Sequence, residues 1–287
     1  MDGAGESTQA GDNGWRTRVV RRRRLPGGRN AQVYAVDFDG RPACLKVFAA
    51  DDRDRAAREW AALRYLERVS YLLAARPLRY DPCPPAAAIL IDLVPGRTLT
   101  GAELTRQQIT ALGYAIDGLH ALPIEGAGLA DAPATAASML ARARRAVVDA
   151  SVLAAGFTRD CQRWLGRSHA EALAQPGRPV FGKGDAGLGN CLWDGVTLRL
   201  VDFEYSGISD RPFDLAELME HIEARATADA SWQAFLAERQ LGAAEWTRLS
   251  AARQLLAIFW AFRLSAEPAD IQAAQLERAA RLLSSDN

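Results

Sequence analysis

Apolar positions in this chain follow two periods, and the change comes near residue 96. Upstream of it the pattern is that of strands. Arg16 to Leu25 reads as one strand, and Val33 to Phe38 alternates with Tyr34, Val36 and Phe38 on one face. Asp39-Gly40 is a tight-turn pair, so Ala43 to Phe48 returns as the second strand of a hairpin. Ile89 to Val94 is a further apolar strand, closed by Pro95-Gly96. One helix interrupts them: Asp51 and Asp52 open it, and Ala56, Trp60 and Leu63 recur at helical spacing.

Downstream the period is 3.6. Ile109, Leu112, Ile116 and Leu119 share a face, as do Met139, Leu140, Ala143 and Val147, while Trp164, Leu165, Ala172 and Leu173 mark a third helix. The C-terminal stretch reads as almost wholly helical, with Trp246, Leu249, Leu256, Phe259 and Trp260 as core. A strand island from Pro179 to Val201 stands among these helices. Strands first and helices second predict an α+β fold of two lobes. The strand-rich lobe would span residues 15–96 and end in a hinge; the larger helical lobe would span 97–287. Residues 1–14 are Gly-rich and nearly free of apolar side chains, and read as a disordered tail.

Composition narrows the class. Lys and Arg (35) balance Asp and Glu (35), so the field that draws proteins to nucleic acid or acidic lipid is absent at chain level. Arg21–Arg24 is the one charge run; in a strand two of its arginines face each way, which favours a solvated strand over a phosphate site. The longest apolar run, Pro85 to Val94, is broken by Asp92 and falls short of the ~20 residues a membrane helix needs. No apolar export segment follows Met1. Cys44, Cys83, Cys161 and Cys191 show neither a C-x-x-C pair nor zinc spacing. A cytoplasmic enzyme with reduced thiols is expected, with no nucleic-acid or membrane partner.

The strand island carries the chemistry. Gly184-Asp185-Ala186-Gly187-Leu188-Gly189-Asn190 is a polar loop before a short strand, and Leu200-Val201-Asp202-Phe203-Glu204 ends a second strand in an acid. Asn190 and Asp202 offer the amide and carboxylate oxygens that Mg²⁺ takes alongside substrate phosphates. Asp185 is then free to accept a proton from an attacking hydroxyl. Alone, Asp-x4-Asn is an ordinary Asp/Gly turn; the apolar-Asp-Phe-Glu run downstream turns the balance toward a site. Gly177 to Gly184 approaches a Walker A loop but lacks the Ser/Thr after Lys183 and follows a helix rather than a strand. His120, His169 and His221 have no metal-hydrolase spacing, and no G-x-S-x-G elbow occurs.

These motifs resemble the aminoglycoside phosphotransferase and choline kinase superfamily, small-molecule kinases of protein-kinase-like fold. Gly184, Asp185 and Asn190 match its His-Gly-Asp-x4-Asn loop, and Leu200 to Glu204 matches its apolar-apolar-Asp-aromatic-Glu motif. Asp210-Arg211-Pro212-Phe213-Asp214-Leu215-Ala216 matches a third, with Pro shifted by one; here Asp214 reads as a helix cap. Leu119 to Pro123 and Ile91 to Gly96 are similar to the family's helix end and hinge. The likeness covers about residues 15–287. It departs at Lys183, which stands where the family has His and is either an organiser of the loop or a charge near the transferred phosphate.

The resemblance implies a bilobal protein-kinase-like fold and an ATP-dependent (or GTP-dependent) phosphotransferase acting on a small-molecule hydroxyl with Mg²⁺. Asp185 would be catalytic, and Asn190 and Asp202 would hold the metal. The nucleotide would meet Lys46, which shares a strand face with Cys44 and Phe48, with Glu59 as the ammonium's partner and Glu67 as second candidate. Gly27 and Gly28 would cover the phosphates, and Lys183 would lie near them. The acceptor would be an aminoglycoside, an amino alcohol or a sugar. Glu217, Glu220 and Glu223, near one helix face by their spacing, favour a cationic one. The alternative is a catalytically degenerate nucleotide-binding pseudokinase, motivated by Lys183 and the incomplete Gly-rich loop.

Overall fold

The structure, a computed structural model, describes residues 13–26, 30–50, 53–83, 85–148 and 155–284. Gly27, Gly28, Asp51, Asp52 and the first twelve residues lie outside the described residues. Contacts divide the chain into two units that meet at Pro95 and Gly96.

The first unit is an antiparallel sheet of order β1-β2-β3-β5-β4 with one helix. Its strands are β1 (Val19–Arg24), β2 (Ala31–Phe38), β3 (Arg41–Phe48), β4 (Pro77–Asp81) and β5 (Ala88–Asp92), and α1 is Arg55–Arg68. Asp39 (φ 53°) and Gly40 (φ 77°) are both left-handed, as the tightest right-twisting hairpin turn requires, and they set Phe38 opposite Arg41. One face of β3 sends Ala43 and Leu45 into an apolar cluster with Trp15, Val36, Phe38, Ala88 and Leu90.

Trp15 explains where β1 begins. It is 1% exposed, and the chain reaches that position through a 3-10 turn over Asn13–Arg18, closed by Thr17 Oγ1 donating to the Gly14 carbonyl at 2.7 Å. Arg16 to Arg18 are therefore not strand, and Asn13 and Gly14 belong to this turn rather than to a tail. The arginine run lies on the exposed edge strand, where a bulge between Arg21 and Arg23 breaks the alternation. Arg22 pairs with Asp37 at 2.6 Å and Arg21 lies over the Tyr34 ring, as befits a solvated strand. In α1, Ala56, Glu59, Leu63 and Leu66 are buried. Trp60 is only partly buried and stacks on Tyr80 at 5.4 Å, so it does not set the buried face.

The second unit is mostly helical. Its elements are β6 (Arg97–Thr98), α2 (Arg106–His120), α3 (Ala136–Val148), α4 (Ala155–Leu165), α5 (Ser168–Ala172), β7 (Pro179–Gly182), β8 (Cys191–Trp193), β9 (Leu198–Leu200) and β10 (Gly207–Asp210), followed by α6 (Arg211–Glu220), α7 (Asp229–Ala237), α8 (Ala243–Arg263) and α9 (Ala269–Ser284). β8 pairs with β6 and β9, and β7 with β10. The third helix expected from the periodicity is two, because the chain tightens at Gly166 and Arg167 N–H donates to the Trp164 carbonyl. Buried Ile109, Leu112, Ile116 and Leu119 confirm the α2 face. Trp246, expected in the core, is 44% exposed: it precedes by one turn the buried run that starts at Leu249. Among the described residues, no helix is long and apolar enough to cross a membrane.

Three helices meet at one acid. Glu220, at the end of α6 and 2% exposed, accepts from Arg253 Nε of α8 at 2.7 Å and from Arg278 of α9 at 2.5 and 3.0 Å. Breaking a buried ion pair strands the remaining charges. Glu220→Ala is expected to cost about 3–5 kcal/mol in denaturant unfolding. A loss under about 1 kcal/mol, typical of exposed pairs, would show that the two arginines relax into water.

Candidate active site

The strand that enters the polar loop lies beside the strand that feeds α6. β7 and β10 run antiparallel, with Gly182 opposite Gly207 and Pro179 opposite Asp210. Asp210 caps α6, accepting from Phe213 N–H at 3.0 Å. Asp214, expected as that cap, lies inside the first turn and reaches back to the loop. Its buried carboxylate accepts from Gly184 N–H at 3.2 Å and from His120 Nε2 at 2.8 Å. Burial pushes this carboxyl up, but His120 and the loop N–H groups of Gly184 and Lys183 outweigh it and hold it below the ordinary carboxylate range. Gly184 has φ 54°, and a Cβ there would come within 2.1 Å of the Tyr205 carbonyl oxygen. Only glycine fits that position.

Lys183 is 1% exposed. Its ammonium donates to the Asp202 carbonyl at 2.6 Å and to the Gly184 carbonyl at 3.3 Å, and lies 5.0 Å from the Phe203 ring centre. The lysine thus ties the loop to the second motif.

Asp185 (φ 46°) and Asp202 (φ 63°) are both left-handed, a conformation that non-glycine residues adopt at a cost and that clusters at functional sites. Asn190 Nδ2 donates to the Asp185 carbonyl at 2.9 Å and lies 3.4 Å from its Oδ2, while His221 Nε2 lies 3.5 Å from Oδ1. Burial pushes the Asp185 carboxyl up, yet the His221 contact, the Lys183 charge and the Asn190 amide outweigh it and hold the group below its ordinary value. The carboxyl is thereby held ionised near neutral pH. The Asn190 carbonyl accepts from Val201 N–H at 2.9 Å, which sets Asn190 beside the residue preceding Asp202. With Nδ2 turned to Asp185, the Asn190 side-chain oxygen is left as an acceptor. An amide oxygen and a carboxylate are hard donors, of the kind that Mg²⁺ takes.

In the first unit, Lys46 Nζ and Glu59 Oε2 are 2.5 Å apart, with side chains 7% and 0% exposed. Cys44 is buried on the same strand face as Lys46. Glu67 pairs instead with Arg64 on the exposed side of α1, so Glu59 is the lysine's partner.

The three acids do not form one helix face, because α6 ends at Glu220. Glu220 is taken by its two arginines, and Glu223 accepts from Gly189 N–H at 2.6 Å. Glu217, within α6, feels the charges of Asp214 and Asp185. Its Oε2 is buried without a hydrogen-bond partner among the described residues. Burial, then the charges of Asp214 and Asp185, push its carboxyl well above the ordinary range. Sequence reasoning missed the His120–Asp214 anchor and the contact of His221 with Asp185. The first had a signal, since both residues lie in quoted motifs; the second had none.

A profile of the phosphotransferase enzyme family matches residues 21–252. No curated protein sequence is significantly similar to this chain. Among solved structures, a thermostable mutant of aminoglycoside phosphotransferase APH(4)-Ia, in ternary complex with AMP-PNP and hygromycin B, superposes with a TM-score of 0.68 at 16% identity, covering 93% of this chain and 94% of that one. A choline/ethanolamine kinase family protein from Mesorhizobium loti gives 0.66 at 21% identity, over 95% and 89%. An aminoglycoside-3'-phosphotransferase of type VIII gives 0.58 at 23% identity, over 84% and 94%. These identities carry the fold. The family match extends over most of the chain and includes every element of the loop geometry above: the chain belongs to the phosphotransferase enzyme family.

Proposed function

We propose that the chain transfers the γ-phosphoryl group of ATP (or GTP) to a hydroxyl of a small molecule, with Asp185 orienting that hydroxyl and taking its proton. The observation that supports this reading most is the ionised Asp185, contacted at both carboxylate oxygens on a backbone pinned at Gly184. As the acceptor oxygen bonds to the γ-phosphorus, the bond to the β–γ bridging oxygen breaks, ADP leaves and the hydroxyl proton passes to Asp185. Lys46, held by Glu59, offers a cation to the nucleotide phosphates, with Cys44 on the same strand face. Asn190 and Asp202 would hold Mg²⁺, whose charge offsets that of the phosphates. The two carbonyl bonds of Lys183 favour an active enzyme over a degenerate nucleotide binder.

Relatives solved with AMP-PNP and hygromycin B support a nucleoside triphosphate donor and keep an aminoglycoside among the acceptors; the choline/ethanolamine kinase relative keeps an amino alcohol. Glu217 is the acceptor contact in this reading. A buried carboxyl oxygen without a partner costs stability, and an amino or hydroxyl group of the acceptor would satisfy it.

Two measurements test this. In a radiolabelled-ATP panel of aminoglycosides, amino alcohols, sugars and nucleosides, an accepted substrate should lose about 10²–10⁴-fold in kcat with Asp185→Asn, at unchanged ATP affinity. A variant that keeps most of its turnover refutes the role of Asp185. For Glu217 the folded carboxyl titrates above its unfolded value, so its ionisation destabilises the protein as pH rises from about 4.5. Glu217→Gln is expected to be more stable than wild type by roughly 1–3 kcal/mol at pH 8, with the gap closing toward pH 4, and to raise the KM of the acceptor. Equal stability at both pH values would remove Glu217 from the site.

A further inference from the structure

We infer that His221, braced by Glu223, is a positioning residue for Asp185, a clamp that reaches the catalytic loop from the segment after α6. The inference rests on the reading of Asp185 as the hydroxyl-orienting acid. His221 leaves the helix in an extended conformation (φ −58°, ψ 143°) and heads a 3-10 turn over Ile222–Ala226. From there the turn grips the loop at two points. His221 Nδ1 accepts from Glu223 N–H at 3.3 Å. A neutral imidazole that accepts at Nδ1 carries its proton at Nε2, the atom that lies 3.5 Å from Asp185 Oδ1. Glu223 Oε2 accepts from Gly189 N–H at 2.6 Å. The imidazole is also braced edge-on by Trp260 of α8, with ring centres 5.4 Å apart and planes at 86°.

The glycines of the loop are shaped to this clamp. A Cβ on Gly187 would lie 2.6 Å from Glu223 Oε2 and 2.7 Å from His221 Cε1, and one on Gly189 would lie 3.0 Å from Glu223 Oε2. Two glycines that look like turn composition are therefore close-approach positions. The clamp also completes the environment of the acid. His221 engages Oδ1 while Asn190 Nδ2 faces Oδ2, so a donor at each oxygen fixes the plane of the carboxylate. The two grips act on different parts of the loop: one on the reacting side chain, one on the backbone next to Asn190.

The test uses the full chain, with Mg²⁺·ATP hydrolysis to ADP as the probe and any acceptor from the panel run in parallel. His221→Ala should lower kcat about ten- to a hundredfold, the cost of a misplaced reacting group, with the KM for ATP unchanged. His221→Gln, whose amide N–H can stand where Nε2–H stood, should recover most of that loss. Nitrogen-15 spectra of the wild type should show the Nε2–H tautomer at His221, and Asp185→Asn should shift that resonance. Wild-type kcat in His221→Ala, with Asp185→Asn inactive, would overturn the clamp and leave the phosphotransfer reading standing. Equal loss in the Ala and Gln variants with a lowered melting temperature would also overturn it, as would an Nδ1–H tautomer. Full turnover in Asp185→Asn would instead strike the phosphotransfer reading.

Discussion

Taking a carboxylate out of water costs several kcal/mol unless other donors replace the solvent, so a buried aspartate is held to wherever its donors are. For Asp214 those donors are His120 at the end of α2 and the N–H groups of Lys183 and Gly184 in the loop after β7. One side chain in the first turn of α6 thus joins the helix, the loop leaving β7 and the end of α2. The other features of the site follow from that attachment. Gly184 takes a left-handed conformation so that its N–H can face the carboxylate beside Tyr205, and Asp185 is presented as the next residue. β10 supports the arrangement by pairing with β7 on one side and ending in the cap of α6 on the other.

Lys183 shows how the same loop tolerates a change of residue type. A lysine ammonium has three donors and no acceptor, and at 1% exposure it requires oxygen partners. The carbonyls of Asp202 and Gly184 supply them, and the Phe203 ring lies beneath. The ammonium then serves two ends. It holds the Asp202 backbone against the loop, and its charge helps keep Asp185 ionised. Glu217 is affected in the opposite sense, since two nearby carboxylates and burial outweigh what Lys183 offers it. Acids of the same loop region are thereby separated, the Asp185 carboxyl held below its ordinary value and that of Glu217 well above.

The parts of the fold legible in the sequence were those with long periodic signals. The α2 and α3 faces, the β2–β3 hairpin and the α+β order appear directly in spacing, because many residues report each one. Short elements such as β6 and β10 carry too few residues to show a period. Aromatic residues misled where packing was local: Trp60 stacks beside its helix, and Trp246 precedes the buried run of α8. Asp185, Asn190 and Asp202 stand out in the sequence because motif and spacing fix them along the chain, and in the first unit the spacing of Lys46 and Glu59 pointed to the ion pair that forms. The grip of His221 on Asp185 depends on how the chain turns after α6, a tertiary fact with no local pattern. The acids after Asp214 were misread for the same reason, since a helix that ends at Glu220 cannot keep three of them on one face.

The central proposal is that Asp202, after β9, and Asn190, of the loop that carries Asp185, form a nucleotide-dependent metal site. The most direct measurement is anomalous diffraction from crystals of the full chain grown with Mn²⁺ and a non-hydrolysable ATP analogue. The account predicts an anomalous peak at the Asn190 and Asp202 side-chain oxygens, with the analogue's phosphates beside it, and loss of that peak in Asp202→Ala. Ordered nucleotide with manganese bound elsewhere, or a peak that persists without the Asp202 carboxylate, would contradict it.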